Sequence, residues 1–283
     1  MIRTNTLVVR RGVLDWVVDV AVRPAGLVEA HADRETAGGV DTVYAWVHIS
    51  VFYFANLLLY AAPLALAGHG LTDADAPDSV VAFVEPLGWN PDTVYQFGVT
   101  LAQTASFLFV ATVLTLVTFH VGLVLAGGSA GLTRSYRAVS YSTGIYLAIM
   151  FSTVYYIATA EGIAVADDLL LAAQAEFIYF FIDLLGADFD LPTGRPDAVD
   201  PTQLTTLGQL LLTTLLVTAG YYLYVLYAGA RISHGASTLQ AAIACGFVLI
   251  SPVIYVVSVV LFNILFPEAT TASVVMPILE VFL

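Results

Sequence analysis

The chain contains no lysine, since all nine of its basic residues are arginine. A retinal protein needs a Schiff-base lysine and a Walker nucleotide site needs a phosphate-binding lysine, so both classes are excluded. Cysteine is nearly as rare: Cys245 stands alone, inside an apolar run. An intramolecular disulfide is therefore impossible, and zinc or iron–sulfur sites built on cysteine are not expected. We predict no cofactor and no metal site.

Basic residues are few beside 22 acidic ones, which gives a net charge of −13. So few and scattered arginines exclude nucleic acid as a partner. An acidic, lysine-free composition is typical of proteins adapted to molar salt, where acidic surfaces stay hydrated.

Apolar residues are abundant. They make up 59% of the 283 residues, with a mean hydropathy of +0.87, and they are gathered into long runs. Because backbone groups in hydrocarbon must be satisfied within the chain, such runs predict an all-α, polytopic membrane helical bundle.

Five runs are long enough to cross a bilayer core of about 30 Å. We predict a transmembrane domain at residues 43–266, with spans at about 43–67, 97–126, 138–160, 204–230 and 237–266. Acidic outer loops then occupy 69–93 and 161–203, and residues 267–283 form an outer tail too short to cross. Residues 169–185 are apolar but include Glu176 and Asp183, which are costly at mid-bilayer, so we expect an outer amphipathic helix there.

The arginines predict the orientation in the cell membrane. With the amino terminus inside, eight arginines lie on the inner side and only Arg195 on the outer side, together with sixteen of the 22 acids. Positive residues are normally retained in the cytoplasm, so the amino terminus is predicted to be cytoplasmic and the carboxyl terminus extracellular.

Residues 1–42 form a cytoplasmic segment before the first span. Arg11, Asp15, Asp19 and Arg23 recur every four residues, which places two opposite-charge pairs on one helical stripe. This pattern predicts an amphipathic helix. It lies in the membrane interface or, equally, packs on the cytoplasmic loops.

The glycine-rich segment LAGGSAGLTR joins the second and third spans. Gly127, Gly128 and Gly131 predict a tight hairpin turn, with a positive φ at Gly127 or Gly128 that ends the second span. The stretch from Gly127 to Gly131 also matches the G-x-S-x-G pattern of hydrolases. That pattern needs a strand before it, whereas a membrane helix is expected here, so we predict no enzyme activity and no catalytic residue.

Three arginines flank the cytoplasmic turns: Arg134, Arg137 and Arg231. They are candidate contacts for anionic lipid headgroups or an acidic partner. The alternative is that they act only as topology anchors.

Five polar residues fall within about two helical turns of the cytoplasmic ends of their spans. They are His48, His120, Tyr141, Tyr227 and Gln240. Polar side chains at membrane depth usually face the bundle interior, so we expect His48 and His120 to lie there with Tyr141 in reach. Such a cluster fastens the helices together or, alternatively, lines a polar cavity or proton path.

The sequence of the second and third spans is weakly similar to that of the fourth and fifth spans. At a constant offset of 102 residues, Ala126-Gly127 matches Ala228-Gly229, Ser135 matches Ser237, and Gly144 matches Gly246. Both hairpins have the same predicted orientation, so the echo suggests a parallel repeat.

LAGGSAGLTRSYRAVSYSTGIYL resembles the glycine-rich turn and basic, aromatic segment before the third helix of the Yip family, the Ypt-interacting multi-span membrane proteins. YVLYAGARISHGASTLQAA resembles the family's second cytoplasmic hairpin, and VRPAGLVEAHADRE its juxtamembrane segment. The resemblance covers roughly residues 10–266 and implies a five-helix bundle linked to GTPase-dependent membrane trafficking. The outer loop at 161–204 is longer than in many members, and the long cytosolic arm of the eukaryotic proteins is lacking.

Two functions follow. The first is a non-enzymatic, Yip-like membrane protein that acts through protein partners or membrane organisation, with membrane lipids and other membrane proteins or a second copy as partners. The second is a small transporter, channel or permease subunit with a polar path among spans two, three and five. A water-accessible cavity among these spans favours the second function, and a dry bundle favours the first.

Overall fold

The computed structural model describes residues 40–66, 75–143, 145–191 and 194–266. Within these ranges every regular element is helical. We number the α-helices in chain order: α1 Val40–Leu66, α2 Asp78–Val84, α3 Pro91–Leu125, α4 Leu132–Ser142, α5 Ile145–Thr159, α6 Ala164–Leu185, α7 Thr206–Ser233, α8 Thr238–Val248 and α9 Ser251–Leu265. The helix predicted within 1–42 and the tail 267–283 lie outside the described residues, apart from the start of α1.

Four helical stretches are long and apolar enough to cross a membrane: Ile49–Leu66, Pro91–Leu125, Thr206–Ser233 and Thr238–Leu265. They coincide with the predicted first, second, fourth and fifth spans. The protein is therefore an all-helical chain with the multi-span character of a membrane protein.

α3 is longer than its predicted span. It begins at Pro91 behind an Asn90 cap, whose side chain accepts hydrogen bonds from the backbone N–H groups of Asp92 and Thr93. Its 35 residues extend about 52 Å, well beyond the hydrocarbon core of a bilayer. The prediction began the span at residue 97 because Pro91 and Asp92 read as loop residues, whereas proline and an acid are both favourable in a first helical turn.

The predicted third span is not one continuous helix. α4 ends at Ser142 and α5 begins at Ile145, and the apolar part, Ile149–Thr159, is shorter than a span. Hydroxyl groups mark the break: Ser142 Oγ donates to the Val139 carbonyl and Thr143 Oγ1 to the Ser140 carbonyl, both at 2.6 Å. The Val139 carbonyl also keeps its helical partner, because the Thr143 N–H donates to it at 3.2 Å.

The fifth span has the same division. α8 ends at Val248 and α9 begins at Ser251, with Pro252 in its first turn. Proline lacks an N–H and restricts the residue before it, so the chain turns slightly at Leu249 and Ile250 before the helix resumes.

These two broken helices reveal the repeat. α4 and α8 each have 11 residues and begin 106 residues apart, at 132 and 238. α5 and α9 end 106 residues apart, at 159 and 265. The sequence offset of 102 was therefore wrong by four residues. That slip is about one helical turn, so small residues on one face match in either register.

The two hairpins interlock. α3 packs against α8, and α7 packs against α4 and α5, so the first helix of each hairpin crosses the second helix of the other. Two close contacts correspond to each other: Gly122 faces Ala244, and Gly229 faces Ala138, with the alanines 106 and the glycines 107 residues apart. Small residues at both crossings let the helix backbones come close together.

α6 carries Asp167, Asp168, Glu176 and Asp183 and is not among the four stretches of spanning character. Its buried face packs against α9, with Ile178, Tyr179 and Ile182 beside Val256 and Val260. The opposite face mixes acidic side chains with exposed Phe177, Phe180 and Leu184. The predicted division into one polar and one apolar face is therefore incomplete.

Arg195 ties the segment after α6 back onto that helix. Its Nη2 lies 2.7 Å from Asp183 Oδ2, and its guanidinium carbon is 4.5 Å from the centroid of the Tyr179 ring. Both charged side chains are largely exposed, so solvent screens the pair and it contributes little to stability.

Candidate functional site

A cavity of about 600 Å³ lies among the helices and is partly open to the surroundings, since Leu216 in its wall is 75% exposed. Its walls come from α1, α3, α5, α6, α7 and the α8–α9 unit. Thr143, at the break before α5, and Leu249 and Ser251, at the break before α9, all line it. The cavity thus borders both helix breaks and lies between the two hairpins.

The cavity wall is mostly apolar. Aliphatic and aromatic side chains such as Leu57, Phe151 and Leu223 form most of the wall. None of the described lining residues is charged. The volume falls within the range of small-molecule sites, which are typically apolar with a few polar groups.

The two hairpin turns meet in a second feature, the turn interface, formed by residues 126–135 and 233–240. Four hydrogen bonds cross it. Ala130 N–H donates to His234 Nδ1 (2.9 Å), Arg134 Nη1 to the Ser233 carbonyl (2.9 Å) and Gln240 Nε2 to the Ala126 carbonyl (2.9 Å), while His234 Nε2 lies 3.3 Å from Ser135 Oγ.

The glycines of the first turn act in different ways. Gly127 has a φ of +70° and ends α3. Its N–H bonds to the Val124 carbonyl, and the N–H of Gly128 bonds to the Leu123 carbonyl, the paired pattern of a Schellman motif. The predicted positive φ is confirmed at Gly127. Gly131 also has a positive φ, +112°.

Gly128 is required for space. A Cβ added there would lie 3.2 Å from the Cβ atoms of Ala236 and Gln240 across the turn interface. Gly128 therefore permits the two turns to approach each other, whereas Gly127 provides the positive φ of the turn.

Two histidines and a serine form a chain of hydrogen bonds beneath the turns. Because His234 Nδ1 accepts from the Ala130 amide, the neutral ring carries its hydrogen on Nε2 and donates it to Ser135 Oγ. Ser135 Oγ–H can then donate to His120 Nδ1, 2.9 Å away. One backbone amide thus sets the direction of the whole chain.

Burial, together with the positive charge of Arg134 and the neighbouring His120, lowers the pKa of His234 to about 4. The residue lies just beyond α7, outside the spanning helices. It is therefore neutral at physiological pH, as the hydrogen bond from Ala130 requires.

The serine–histidine contact does not make an open catalytic site. Ser135 is fully buried, so a substrate carbonyl cannot approach its hydroxyl in this conformation. The G-x-S-x-G serine, Ser129, instead accepts a hydrogen bond from the Gly131 N–H within the turn. Among the described residues, no group of three or more His, Cys, Asp or Glu side chains could hold a metal ion.

Four of the five predicted polar residues have side chains in the described part of the structure, and the contacts described for these four differ. His120 joins Ser135 and His234, whereas Tyr141 packs beside Ile49 and Phe52 of α1. Tyr227 packs at the edge of the core around the helix crossings. His48 lies in α1, but its side chain is outside the described part of the structure.

Gln240 links the two hairpins and also caps a helix. Its Oε1 accepts from the Ser237 N–H while Ser237 Oγ accepts from the Gln240 N–H, which forms a capping box at the start of α8. Its Nε2 spans to the other turn. Gln240 is thus a cap and a cross-link.

The three arginines that flank the cytoplasmic turns lie in different environments. Arg137 is 4% exposed, so the prediction that it contacts lipid headgroups or a partner is wrong for this conformation. Arg134 is used in the turn interface. Arg231 is exposed, with Nη1 3.0 Å from Thr238 Oγ1, and remains available to solvent or lipid.

Sequence reasoning missed Ser135 and His234 as partners of His120. The only available signal was the position of Ser135 and His234 in adjacent glycine-containing turns, which hairpin interlocking brings together. No helical periodicity connects residues 99 apart in the chain, so their contact depends on the tertiary packing.

Comparison with family models, with curated proteins and with solved structures finds no match to this chain. Functional inference therefore depends on the geometry described above.

Proposed function

We propose that the protein is a small membrane transporter or permease that binds its substrate in the central cavity. The observation that carries this proposal is the position of the cavity, between two interlocked hairpins and beside both helix breaks. Substrate sites in many transporters lie between structural repeats, where spanning helices are discontinuous.

The apolar wall of the cavity restricts the class of substrate that it could bind. A polar path among spans two, three and five was one of two alternatives, but the cavity presents mainly aliphatic and aromatic side chains. The transport proposal therefore depends on the position of the cavity and not on its polarity. An apolar or weakly amphipathic substrate suits this wall, because burying it there needs no compensating charge.

For the membrane arrangement we propose that the four helices of spanning character cross, and that the broken α4–α5 unit makes a fifth crossing. Arg134 and Arg231 lie beside the two turns, which supports a cytoplasmic turn interface. The amino terminus is then cytoplasmic, the carboxyl terminus extracellular, and α6 lies on the outer side.

The accessibility of the cavity tests the transport proposal. In a Cys245→Ser background without native thiols, Ala111→Cys places a thiol in the cavity wall on α3. We expect a membrane-impermeant thiosulfonate to reach this thiol from each side when applied separately to reconstituted vesicles. Val113→Cys on the same helix is 41% exposed and lies outside the lining, so it should face lipid and stay unmodified.

Access to Ala111→Cys from neither side would contradict alternating access. Thiols at Ala173 and Asp188, both exposed, should react only from the outer side if α6 does not cross. Reaction of one of them from the inner side would overturn the proposed arrangement.

The second candidate is a non-enzymatic, Yip-like protein that acts through partners or membrane organisation. One observation favours it: Leu132 and Leu239 begin α4 and α8 beside the turns and are 51% and 70% exposed. With Arg231 they form a mixed apolar and basic surface suited to a partner or a membrane surface. A cavity closed from both sides in the thiol experiment would favour this candidate.

A further inference from the structure

Three hydroxyl groups in the cavity wall have hydrogens that are already used. Thr112 Oγ1 donates to the Leu108 carbonyl at 2.8 Å, Thr143 Oγ1 to the Ser140 carbonyl, and Tyr60 Oη to Asn56 Oδ1 at 2.8 Å. Each hydroxyl therefore retains only acceptor capacity toward the cavity.

Gln174 adds an acceptor without a partner. It extends from α6 into the cavity lining, and its Oε1 is buried and accepts no hydrogen bond from the described residues. A buried acceptor without a donor is costly, and a bound molecule that supplies a donor would remove that cost.

Charge complementarity excludes ionic ligands. Because no described lining residue is charged, a carboxylate or an ammonium group would be desolvated without a counter-charge.

We propose that the substrate is an uncharged, largely apolar molecule with a hydroxyl group, and that this hydroxyl donates a hydrogen bond to Gln174. The inference rests on the proposed binding function of the cavity and specifies its chemistry. An ether or a hydrocarbon of the same length lacks the donor and should bind less tightly.

Four probes of equal chain length test this chemistry: dodecan-1-ol, its methyl ether, dodecane and dodecanoate at pH 8. Saturable binding of each is measured to the full chain in phosphatidylcholine nanodiscs, above the signal of protein-free nanodiscs. We expect the alcohol to bind about fivefold tighter than the ether, the effect of one net hydrogen bond. Dodecanoate should show no saturable binding.

Two variants assign the effect. Gln174→Met keeps the length of the side chain but removes the acceptor, so the preference for alcohol over ether should fall to about one. The variant should fold, since replacing an unpartnered buried acceptor by an apolar group is not destabilising. Ala111→Trp should fill the cavity and abolish saturable binding of all probes, whereas Val113→Trp on the lipid side of α3 should not.

The outcomes separate the two proposals. Equal binding of alcohol and ether by the unmodified protein would overturn the hydroxyl inference while leaving the cavity as a binding site. An alcohol preference that survives in Gln174→Met would overturn the assignment to Gln174. Saturable binding of none of the probes, or binding unaffected by Ala111→Trp, would contradict the binding function of the cavity itself.

Discussion

The two hairpins share one geometry and have different chemistry. In the first, α3 ends in a Schellman motif at Gly127 and α4 is rich in hydroxyl groups. In the second, α7 ends with Arg231 in its last turn and α8 begins with a capping box at Ser237. The break before α5 follows serine and threonine bonds to the backbone, whereas Pro252 marks the break before α9.

What the hairpins share is confined to a few positions. Ala138 and Ala244 lie at equivalent points, 106 residues apart, and each faces a glycine of the opposite hairpin. Turns and breaks can be built in several ways, but a close helix crossing requires small side chains on both helices. Both halves of the repeat therefore retain the glycine–alanine contacts and the position of the break, whereas the residues that form the caps and breaks differ.

The largest expected effect comes from filling these crossings. A Cβ at Gly122 would lie 2.9 Å from the Ala244 Cα and about 3 Å from two Phe247 atoms, so backbone must move. Gly122→Ala should lower the free energy of unfolding by about 3 kcal/mol. At Gly229 the clash is with the Ala138 Cβ at 2.9 Å, and a smaller loss of about 2 kcal/mol is expected. Denaturant unfolding in detergent micelles measures both.

Each helix supplies its own control. At Gly98 in α3 and Gly220 in α7, no described atom lies within 4 Å of an added Cβ. Alanine at these positions should be neutral or stabilise by up to about 1 kcal/mol, because alanine is the better helix former. Equal losses at Gly122 and Gly98 would contradict the close crossing.

The positions of the apolar helices could be predicted, because apolar runs long enough to span a membrane are visible in the order of the residues along the chain. The sequence did not reveal that the third span is interrupted after Ser142, since Ser142 and Thr143 are compatible with a continuous helix. The glycine turn at Gly127 was predictable from local chemistry. The His120–Ser135–His234 chain was not, because only the interlocking of the hairpins brings these residues together.

The next effect is the pH dependence of folded stability, which we expect to come from His234 in the second hairpin turn. The pKa of His234 is about 4 in the folded protein, against an ordinary value of 6.5. Between these values the unfolded chain binds more protons, so the contribution of His234 is fully present above about pH 6.5 and is lost as the pH falls toward 4. We expect a loss of about 1–3 kcal/mol over this window.

His234→Asn tests the origin of this loss. The asparagine Oδ1 can replace Nδ1 as acceptor for the Ala130 amide and does not titrate. Thermal unfolding from pH 4 to 7 should therefore be less pH-dependent in the variant. An unchanged slope would assign the pH dependence to carboxylates elsewhere.

A smaller effect separates the two adjacent glycines of the first turn. Gly127→Ala forces a side chain into a φ of +70° and should cost about 1–2 kcal/mol through backbone strain. Gly128→Ala meets Ala236 and Gln240 at 3.2 Å and should cost about 1 kcal/mol through crowding. Because Gln240→Ala removes part of the crowding, it should relieve the loss in Gly128→Ala but not in Gly127→Ala. A double-mutant cycle on folded stability measures this coupling.

The smallest effect on stability is expected at Arg231, which has no basic counterpart in the last turn of α3. Its side chain is exposed and bonds to Thr238, and its charge lies near the negative end of the α7 dipole. Arg231→Gln should therefore cost only about 0.5 kcal/mol of folding free energy.

Its effect on lipid preference should be larger. A basic residue near an anionic surface contributes about 1 kcal/mol, so Arg231→Gln should reduce the preference for phosphatidylglycerol over phosphatidylcholine about fivefold, measured by lipid exchange in nanodiscs. Arg137→Gln is the matched control. Because Arg137 is buried, this variant should lose stability yet keep the lipid preference. If Arg137→Gln alone changed lipid preference, the headgroup contact would belong to a conformation in which α4 moves away from the bundle.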